Sequence, residues 1–258
     1  MTSRDIAPIV ESFWQSRQRG VYFPPEWFDR LSLEEGYQVQ LGLLARRLAA
    51  GARLIGWKVG LTSRAMQEQF RVPEPLFGYL LDDAPHPSGA RFQAAALIQP
   101  GVENELCLCL GTDLAGPGVD EAAARAAVAA VCPALEIAET RGDFTGQLAV
   151  AIADNIQQRY IVLGPETAPL PPDFDLAAVQ ARVVINGAEV ATATGAAVLG
   201  QPLRSLAWLA NKLVQHGYLL RAGDLVMTGS LTRQFPLAAG THVATTVAPL
   251  GTVEAYFD

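Results

Sequence analysis

Two glutamates one residue apart, Glu103 and Glu105, break into a run that is otherwise apolar and β-prone, Val102-Glu103-Asn104-Glu105-Leu106-Cys107-Leu108-Cys109-Leu110. Side chains alternate faces along a strand, so both carboxylates point one way while Leu106, Leu108 and Leu110 point the other. Two like charges are thereby forced together. Burying one unpaired carboxylate is costly and burying two side by side is worse, unless a cation holds them or one is protonated.

A third carboxylate has a similar setting. In Pro133-Ala134-Leu135-Glu136-Ile137-Ala138, Glu136 interrupts a short apolar run of strand character. Three carboxylates without a nearby histidine or thiol pair describe a hard-ion site, suited to Mg²⁺ or Mn²⁺ with water or substrate completing the coordination. The competing account is that these glutamates are salt-bridged or lie on an exposed strand face, where most charged residues sit.

Composition limits the alternatives. Half of the 258 residues are apolar and only 17% are charged, which excludes disorder as the main state and leaves enough chain for a large core. A formal charge of −7, with no cluster of Lys or Arg, argues against a nucleic-acid partner. The cysteines Cys107, Cys109 and Cys132 make neither a disulfide framework nor a zinc spacing, and read as small core residues of a reducing compartment. The opening Met1-Thr2-Ser3-Arg4-Asp5 leads into no apolar signal core, and no stretch reaches the roughly 18 uncharged apolar residues of a membrane span. A cytoplasmic protein without a membrane partner is expected, and its high apolar content points to a homo-oligomer.

The pattern along the chain gives an α+β fold. Helices are expected over about 6–18 and, from a Ser32/Glu35 capping box to the stop at Gly51, over the second part of a helical N-terminal region, 1–52. From Arg53 the texture changes to short apolar runs separated by Gly and Pro, which marks one β-rich domain over 53–258. Strands are expected at 54–59, 102–110, 135–138, 160–163, 181–185, 224–228 and 241–247. Two helices interrupt them, one from an Asp120 cap to about residue 131 and one over 202–216 that stops at Gly217.

Several residues are equipped for chemistry. Lys58, inside the apolar strand Gly56-Trp57-Lys58-Val59-Gly60-Leu61-Thr62-Ser63, can bind a substrate carboxylate or act as an acid/base; alternatively it snorkels from a sheet surface. Asp154-Asn155 follows an apolar run and can orient a water or cap a turn. Thr228-Gly229-Ser230 ends a strong strand and offers backbone N–H groups and the Ser230 hydroxyl to an anion. His86, His216 and His242 lack partners at catalytic spacing and read as structural.

These segments together carry a family resemblance. Gly56 to Ser63, Glu103-Asn104-Glu105, Ala134-Leu135-Glu136-Ile137, Asp154-Asn155, Gly195-Ala196-Ala197-Val198-Leu199-Gly200-Gln201-Pro202-Leu203 and the stretch from Ala207-Trp208-Leu209 through Thr228-Gly229-Ser230 resemble the hydratase/decarboxylase family of aromatic meta-cleavage pathways, within the fumarylacetoacetate hydrolase superfamily. The resemblance runs in order from about residue 35 to the end. It implies a mixed β-roll or sandwich core of the C-terminal-domain type, and Mg²⁺ or Mn²⁺ held by Glu103, Glu105 and Glu136. It also implies Lys58 in a pocket for small 2-hydroxydienoic or 2-oxo acids. Gln99, Asp154, Ser230 and Arg233 are the substrate-binding candidates of this sequence.

Departures from the family pattern surround the expected pocket. Hydratases of the family usually carry an aspartate where this chain reads Leu76, in Glu74-Pro75-Leu76-Phe77-Gly78, and decarboxylases place an aliphatic residue there. Ile98-Gln99-Pro100 and Ala207-Trp208-Leu209 look more like hydratases. Gly101 stands where a basic residue is usual, and Ile156-Gln157 where a serine is expected. Arg233 follows the Thr228-Gly229-Ser230 turn and is either a ligand for a second substrate carboxylate or a surface arginine. The leading expectation is a 2-keto-4-pentenoate-type hydratase, with a 4-oxalocrotonate-type decarboxylase as the alternative. An acylpyruvate-type C–C hydrolase and a non-catalytic homologue are the remaining two.

Overall fold

The computed structural model describes residues 4–167, 170, 171 and 173–258. Residues 1–3, counted above with the N-terminal region, lie outside the described residues.

Two helices open the chain, α1 (Ala7–Gln18) and α2 (Leu33–Ala49). The capping box at the start of α2 forms as its sequence predicts: Ser32 Oγ accepts the Glu35 N–H, and Glu35 reaches back to the Ser32 N–H. The apolar faces of α1 and α2 meet α5 (Leu148–Ala153) through Ile9, Phe13, Leu43 and Val150.

The first strand, β1 (Leu54–Gly60), is followed by a short exposed helix, α3 (Arg64–Phe70), and then by β2 (Leu76–Leu81), β3 (Pro85–Pro87) and β4 (Ala90–Phe92). The glutamate run lies in β5 (Pro100–Leu110), and helix α4 (Glu121–Ala127) leads into β6 (Val128–Glu139). After α5 come β7 (Gln158–Leu163), β8 (Gln180–Ile185) and β9 (Ala188–Thr194). Helix α6 (Pro202–Leu213), β10 (Leu225–Met227), β11 (Phe235–Pro236), β12 (Thr241–Ala248) and β13 (Gly251–Phe257) complete the chain.

The strands form two sheets. One runs β2-β1-β10-β5-β6-β7-β3, with β11 also paired to β5, and mixes parallel and antiparallel neighbours; the other runs β4-β13-β12-β8-β9. Val102, Leu135, Ile137 and Val162 of the first sheet pack on Val183, Val243, Val253 and Phe257 of the second, giving a sandwich core. Further along β5, Leu106, Leu108 and Leu110 join Leu206, Leu209 and Leu213 of α6 in the largest core. The leucine face is thus buried along its length, and the glutamates lie on the opposite face of the sheet. This is the α+β roll with a helical N-terminal part that the sequence predicts.

One expectation is corrected. The helix capped by Asp120 stops at Ala127 instead of running to about residue 131. Asp120 does cap it, accepting the Ala123 N–H at 2.8 Å. From Val128 onward the chain pairs with β5, and from Ala134 also with β7. The few tenths of a kcal/mol per residue by which alanine favours helix give way to a two-sided ladder. Strands β2, β3, β4, β9, β11 and β13 and helices α3 and α5 are additions that the sequence pattern did not reveal.

Gly56 fixes how closely β1 approaches β10. Its φ is +152°, and a Cβ there would lie 1.9 Å from the Leu225 carbonyl oxygen. Gly56→Ala is therefore expected to destabilise the protein by roughly 3 kcal/mol, the upper end of the usual overpacking cost. Urea unfolding checks it; a wild-type midpoint would mean that β1 and β10 part without penalty.

Candidate metal centre and active site

The antiparallel register of β5 and β6 sets Glu103 directly opposite Glu136, and Glu105 lies one pleat further along the same face. Carboxylate oxygens of all three fall within 4.8 Å of one another. Glu105 and Glu136 are buried, each 1% exposed. Lys58 of β1 lies two strands away from β5, and β10 stands between them. It reaches the site because β10 ends at Met227, opposite Cys107, one pleat short of Glu105. Its Nζ forms a close ion pair with Glu136 Oε1, both side chains being buried. Where β10 would continue, the chain bends away at Gly229, whose N–H donates to Glu105 Oε2 at 2.8 Å. Gly229 has φ +114°, and a Cβ there would meet Thr62 Oγ1 at 2.4 Å, so a larger residue would displace this donor.

Charge balance in the cluster is incomplete. Among the described residues Lys58 is the one cation paired with the three carboxylates. Burial, with repulsion from Glu136, pushes the Glu103 carboxyl up to about 7, against the opposing pull of Lys58. Burial and the charges of Glu136 and Glu103 hold Glu105 well above the ordinary carboxylate range despite the Gly229 N–H. An all-oxygen donor set carrying surplus negative charge fits a hard divalent cation, which would relieve both effects.

Lys58, Glu103 and Glu136 face a cavity of about 730 Å³. Its walls include Leu76, Ile156, Met66 and Phe70, and Phe70 meets Phe144 edge-to-face with centroids 5.3 Å apart. Thr62, Ser63, Thr140 and Asp143 add polar groups. Of the substrate-binding candidates, Ser230 and Arg233 line this cavity. The Ser230 hydroxyl donates to the Thr232 carbonyl at 2.7 Å, and the exposed Arg233 guanidinium lies over the Phe235 ring at 4.5 Å.

Gln99 and Asp154 lie elsewhere. Gln99 is exposed on the turn before β5, outside the cavity lining. Asp154 is fully buried behind the cavity wall, where its carboxylate is shared by Arg17 and Arg141. Asn155 next to it clasps β2, accepting the Tyr79 N–H at 2.8 Å and donating to the Tyr79 carbonyl at 3.0 Å. The three histidines are absent from the lining. His86 packs between Phe92 and Tyr160, His216 against Tyr37 and Phe77, and His242 on Tyr256. The cysteines are free; Cys107 and Cys132 are buried, and their mutual contact and burial push the Cys107 thiol well up.

Sequence reasoning missed the supports of the site. Arg17, Glu139 and Arg141 give no local signal of joining Asp154, since 137 residues separate Arg17 from it. Glu139-Thr140-Arg141 does show a charged pair two residues apart just past a buried strand, the one hint available. Asp143, Phe70 and Phe144 reach the cavity from loops and from α3, where periodicity says nothing about direction.

The fumarylacetoacetate (FAA) hydrolase C-terminal family matches residues 57–257. The chain belongs to the fumarylacetoacetate hydrolase family. Among members of the family, it is 36% identical over 259 residues to a 2-hydroxyhexa-2,4-dienoate hydratase of Comamonas testosteroni, covering 99% of this chain and 92% of that one. It is 33% identical to a 4-oxalocrotonate decarboxylase of Pseudomonas putida, covering 89% and 87%. The structure of 4-oxalocrotonate decarboxylase from Pseudomonas putida G7 complexed with magnesium and adipate superposes with a TM-score of 0.90 at 30% identity, over 98% of this chain and 97% of that one. The same enzyme is known complexed with calcium and acetate. Relatives named hydratase and relatives named decarboxylase thus both match this chain over most of its length.

The raised carboxyls give a pH signature. A carboxyl whose pKa is raised by folding stabilises the metal-free protein at low pH and ceases to as pH climbs from about 4.5 through about 7. Mg²⁺ must displace those protons in acid and meets free carboxylates above pH 7. The rise in melting temperature on adding Mg²⁺ is therefore expected to be larger at pH 8 than at pH 5.5. A rise independent of pH would separate the metal from Glu103 and Glu105. Glu105→Gln should lower Mg²⁺ affinity by more than the roughly 10–100-fold typical of losing an outer-shell partner, with the fold retained; titration calorimetry reads it, and normal affinity would overturn the ligand set.

Proposed function

We propose that this chain is a divalent-metal-dependent lyase acting on a small 2-hydroxydienoic or 2-oxo acid, a hydratase of the 2-keto-4-pentenoate type. The observation that carries it is the convergence of three carboxylates and Lys58 on one cavity with apolar walls. Glu103, Glu105 and Glu136 would hold Mg²⁺ or Mn²⁺. Such an ion, when bound, polarises the 2-oxo group and offsets the negative charge that develops as the enol forms.

The remaining work falls to the chain. Lys58 presents its ammonium beside the carboxylates and can hold the substrate carboxylate or pass a proton from Nζ to the dienol carbon. Leu76, Ile156 and Phe70 give an apolar surface to a conjugated hydrocarbon tail and keep water away from its middle. Hydration needs a group that takes a proton from water. Leu76 cannot do this, and Asp143 is the lining carboxylate outside the three-glutamate cluster. No histidine lines the cavity, which disfavours the acylpyruvate-type hydrolase.

A specific observation favours a second assignment. A 4-oxalocrotonate-type decarboxylase needs no water activation, so an aliphatic Leu76 suits it, and Arg233 at the rim would take a second carboxylate. We propose a cytoplasmic location under either assignment, in keeping with the free thiols of Cys107, Cys109 and Cys132; among the described residues no helix is long and apolar enough to cross a membrane. We further propose a homo-oligomer, since the edge strand β9 leaves unpaired backbone groups and an exposed Val190 for a second copy to cover.

The test presents Mg²⁺-loaded protein with 2-hydroxypenta-2,4-dienoate and with 2-hydroxymuconate, following ultraviolet absorbance and CO₂ release. Loss of the first without CO₂ establishes the hydratase, CO₂ from the second the decarboxylase, and silence on both rejects the proposal. Lys58→Ala is expected to cut turnover by at least about 100-fold, in the range of a lost acid/base group, while Mg²⁺ still binds. An unchanged rate would make Lys58 structural.

A further inference from the structure

Directly behind the cavity wall the chain makes one turn in the left-handed region: Asn155, Ile156 and Gln157 have φ of +58°, +42° and +61°. For a β-branched residue such as Ile156 this conformation is disfavoured and persists only where its surroundings impose it. Ile156 and Gln157 both line the cavity. The surroundings that impose the turn are charged and buried. Arg141 Nη2 donates to the Asp154 carbonyl at 3.0 Å and Nη1 to the Gln158 carbonyl at 3.3 Å, so one guanidinium grips the chain on both sides of the turn. The same arginine pairs with the Asp154 carboxylate at 2.6 Å and with Glu139 at 3.0 Å. The other oxygen of Asp154 takes Arg17 of α1 at 2.5 Å. Tyr22 lies over both guanidinium groups, 5.1 Å from that of Arg141 and 5.9 Å from that of Arg17.

We propose that Arg17, Asp154 and Arg141 form a positioning clamp through which the N-terminal helices hold the turn at 155–157 as a wall of the cavity. Resting on the lyase assignment above, the clamp sets how tightly the substrate tail is gripped and leaves the metal floor untouched. The geometry supports a wall function over a merely global one. Thr140 and Gly142, on either side of Arg141, also line the cavity, and Gln157 Nε2 donates to the Gly142 carbonyl at 3.1 Å, so both walls hang from the same arginine. Glu103, Glu105 and Glu136 receive no bond from the clamp; their partners are Lys58 and Gly229. Helix α1 also lies outside the matched family region, residues 57–257, so the clamp draws on a segment beyond that region.

Asp154→Asn and Arg17→Met test the clamp, with Arg17→Lys as the charge-conserving control. In either disruptive variant, hydrogen exchange of peptides covering 150–160 is expected to speed up by about tenfold or more, while the β8–β9 hairpin of the other sheet exchanges as in wild type. Mg²⁺ affinity should stay within about twofold, and KM should rise about tenfold with kcat within about threefold. Arg17→Lys should restore most of the protection. Unchanged exchange at 150–160, or an equal increase in the hairpin, overturns the proposal. Should Asp154→Asn not fold, Arg17→Met decides the matter alone, since Arg17 is partly exposed. The exchange readings need no turnover, so an inactive wild type would refute the lyase assignment and leave the clamp to be judged separately.

Discussion

Like charges brought together out of water repel one another and lose hydration at once, and here three carboxylates face that condition within 4.8 Å. A fold can sustain it only by supplying partners from several directions. Lys58 comes from β1 onto Glu136, the Gly229 N–H comes from the chain after β10 onto Glu105, and Glu103 is left facing the cavity. Each partner depends on a separate backbone decision. β10 must stop after three residues so that Lys58 can pass, Gly56 must let β1 close on β10, and Gly229 must bend with φ +114°. The leucine face of β5, buried against α6, keeps the strand from rotating its charges toward water. The apolar core and the polar cluster are two faces of one strand, and burial of the first holds the second in its register.

Much of this was legible because the determinants are local. An alternating strand reports its faces through its sequence, so the pairing of Glu103 with Glu105 and the opposite burial of Leu106, Leu108 and Leu110 follow from a period of two. The Ser32/Glu35 capping box and the stops at Gly51 and Gly217 are likewise written within a few residues, and the structure keeps all three. The helix expected to reach residue 131 fails for the opposite reason. Its alanines favour helix, but pairing with β5 and β7 is decided by strands that lie elsewhere in sequence. Placing Asp154 and Gln99 from sequence met the same limit. The Asp154 carboxylate takes its partners from residues 17 and 141, and no spacing rule connects them.

The division between floor and walls bears on how related proteins of this length, 33% and 36% identical to this one, come to be named for two different reactions. The floor is built from strand residues locked in register, where loss of one charged side chain strands its buried partner. The walls are built from the β2 end at Leu76, the exposed helix α3, the loop at 140–145 and the left-handed turn at 155–157. Of these, α3 is exposed and free to vary, whereas Leu76 and the turn at 155–157 are held by the β1 ladder and by Arg141. On the proposed function, an enolisable acid held at the three-glutamate floor would lose CO₂ or gain water according to what the walls put beside its far end. In this chain the walls carry Leu76 and Ile156, with Asp143 and Arg233 as the charged residues outside the floor. The apolar pair favours a hydrocarbon tail, and Arg233 favours a charged one. Both sit in one cavity, so under the proposed activity the length and charge of the substrate tail would decide which of them it meets.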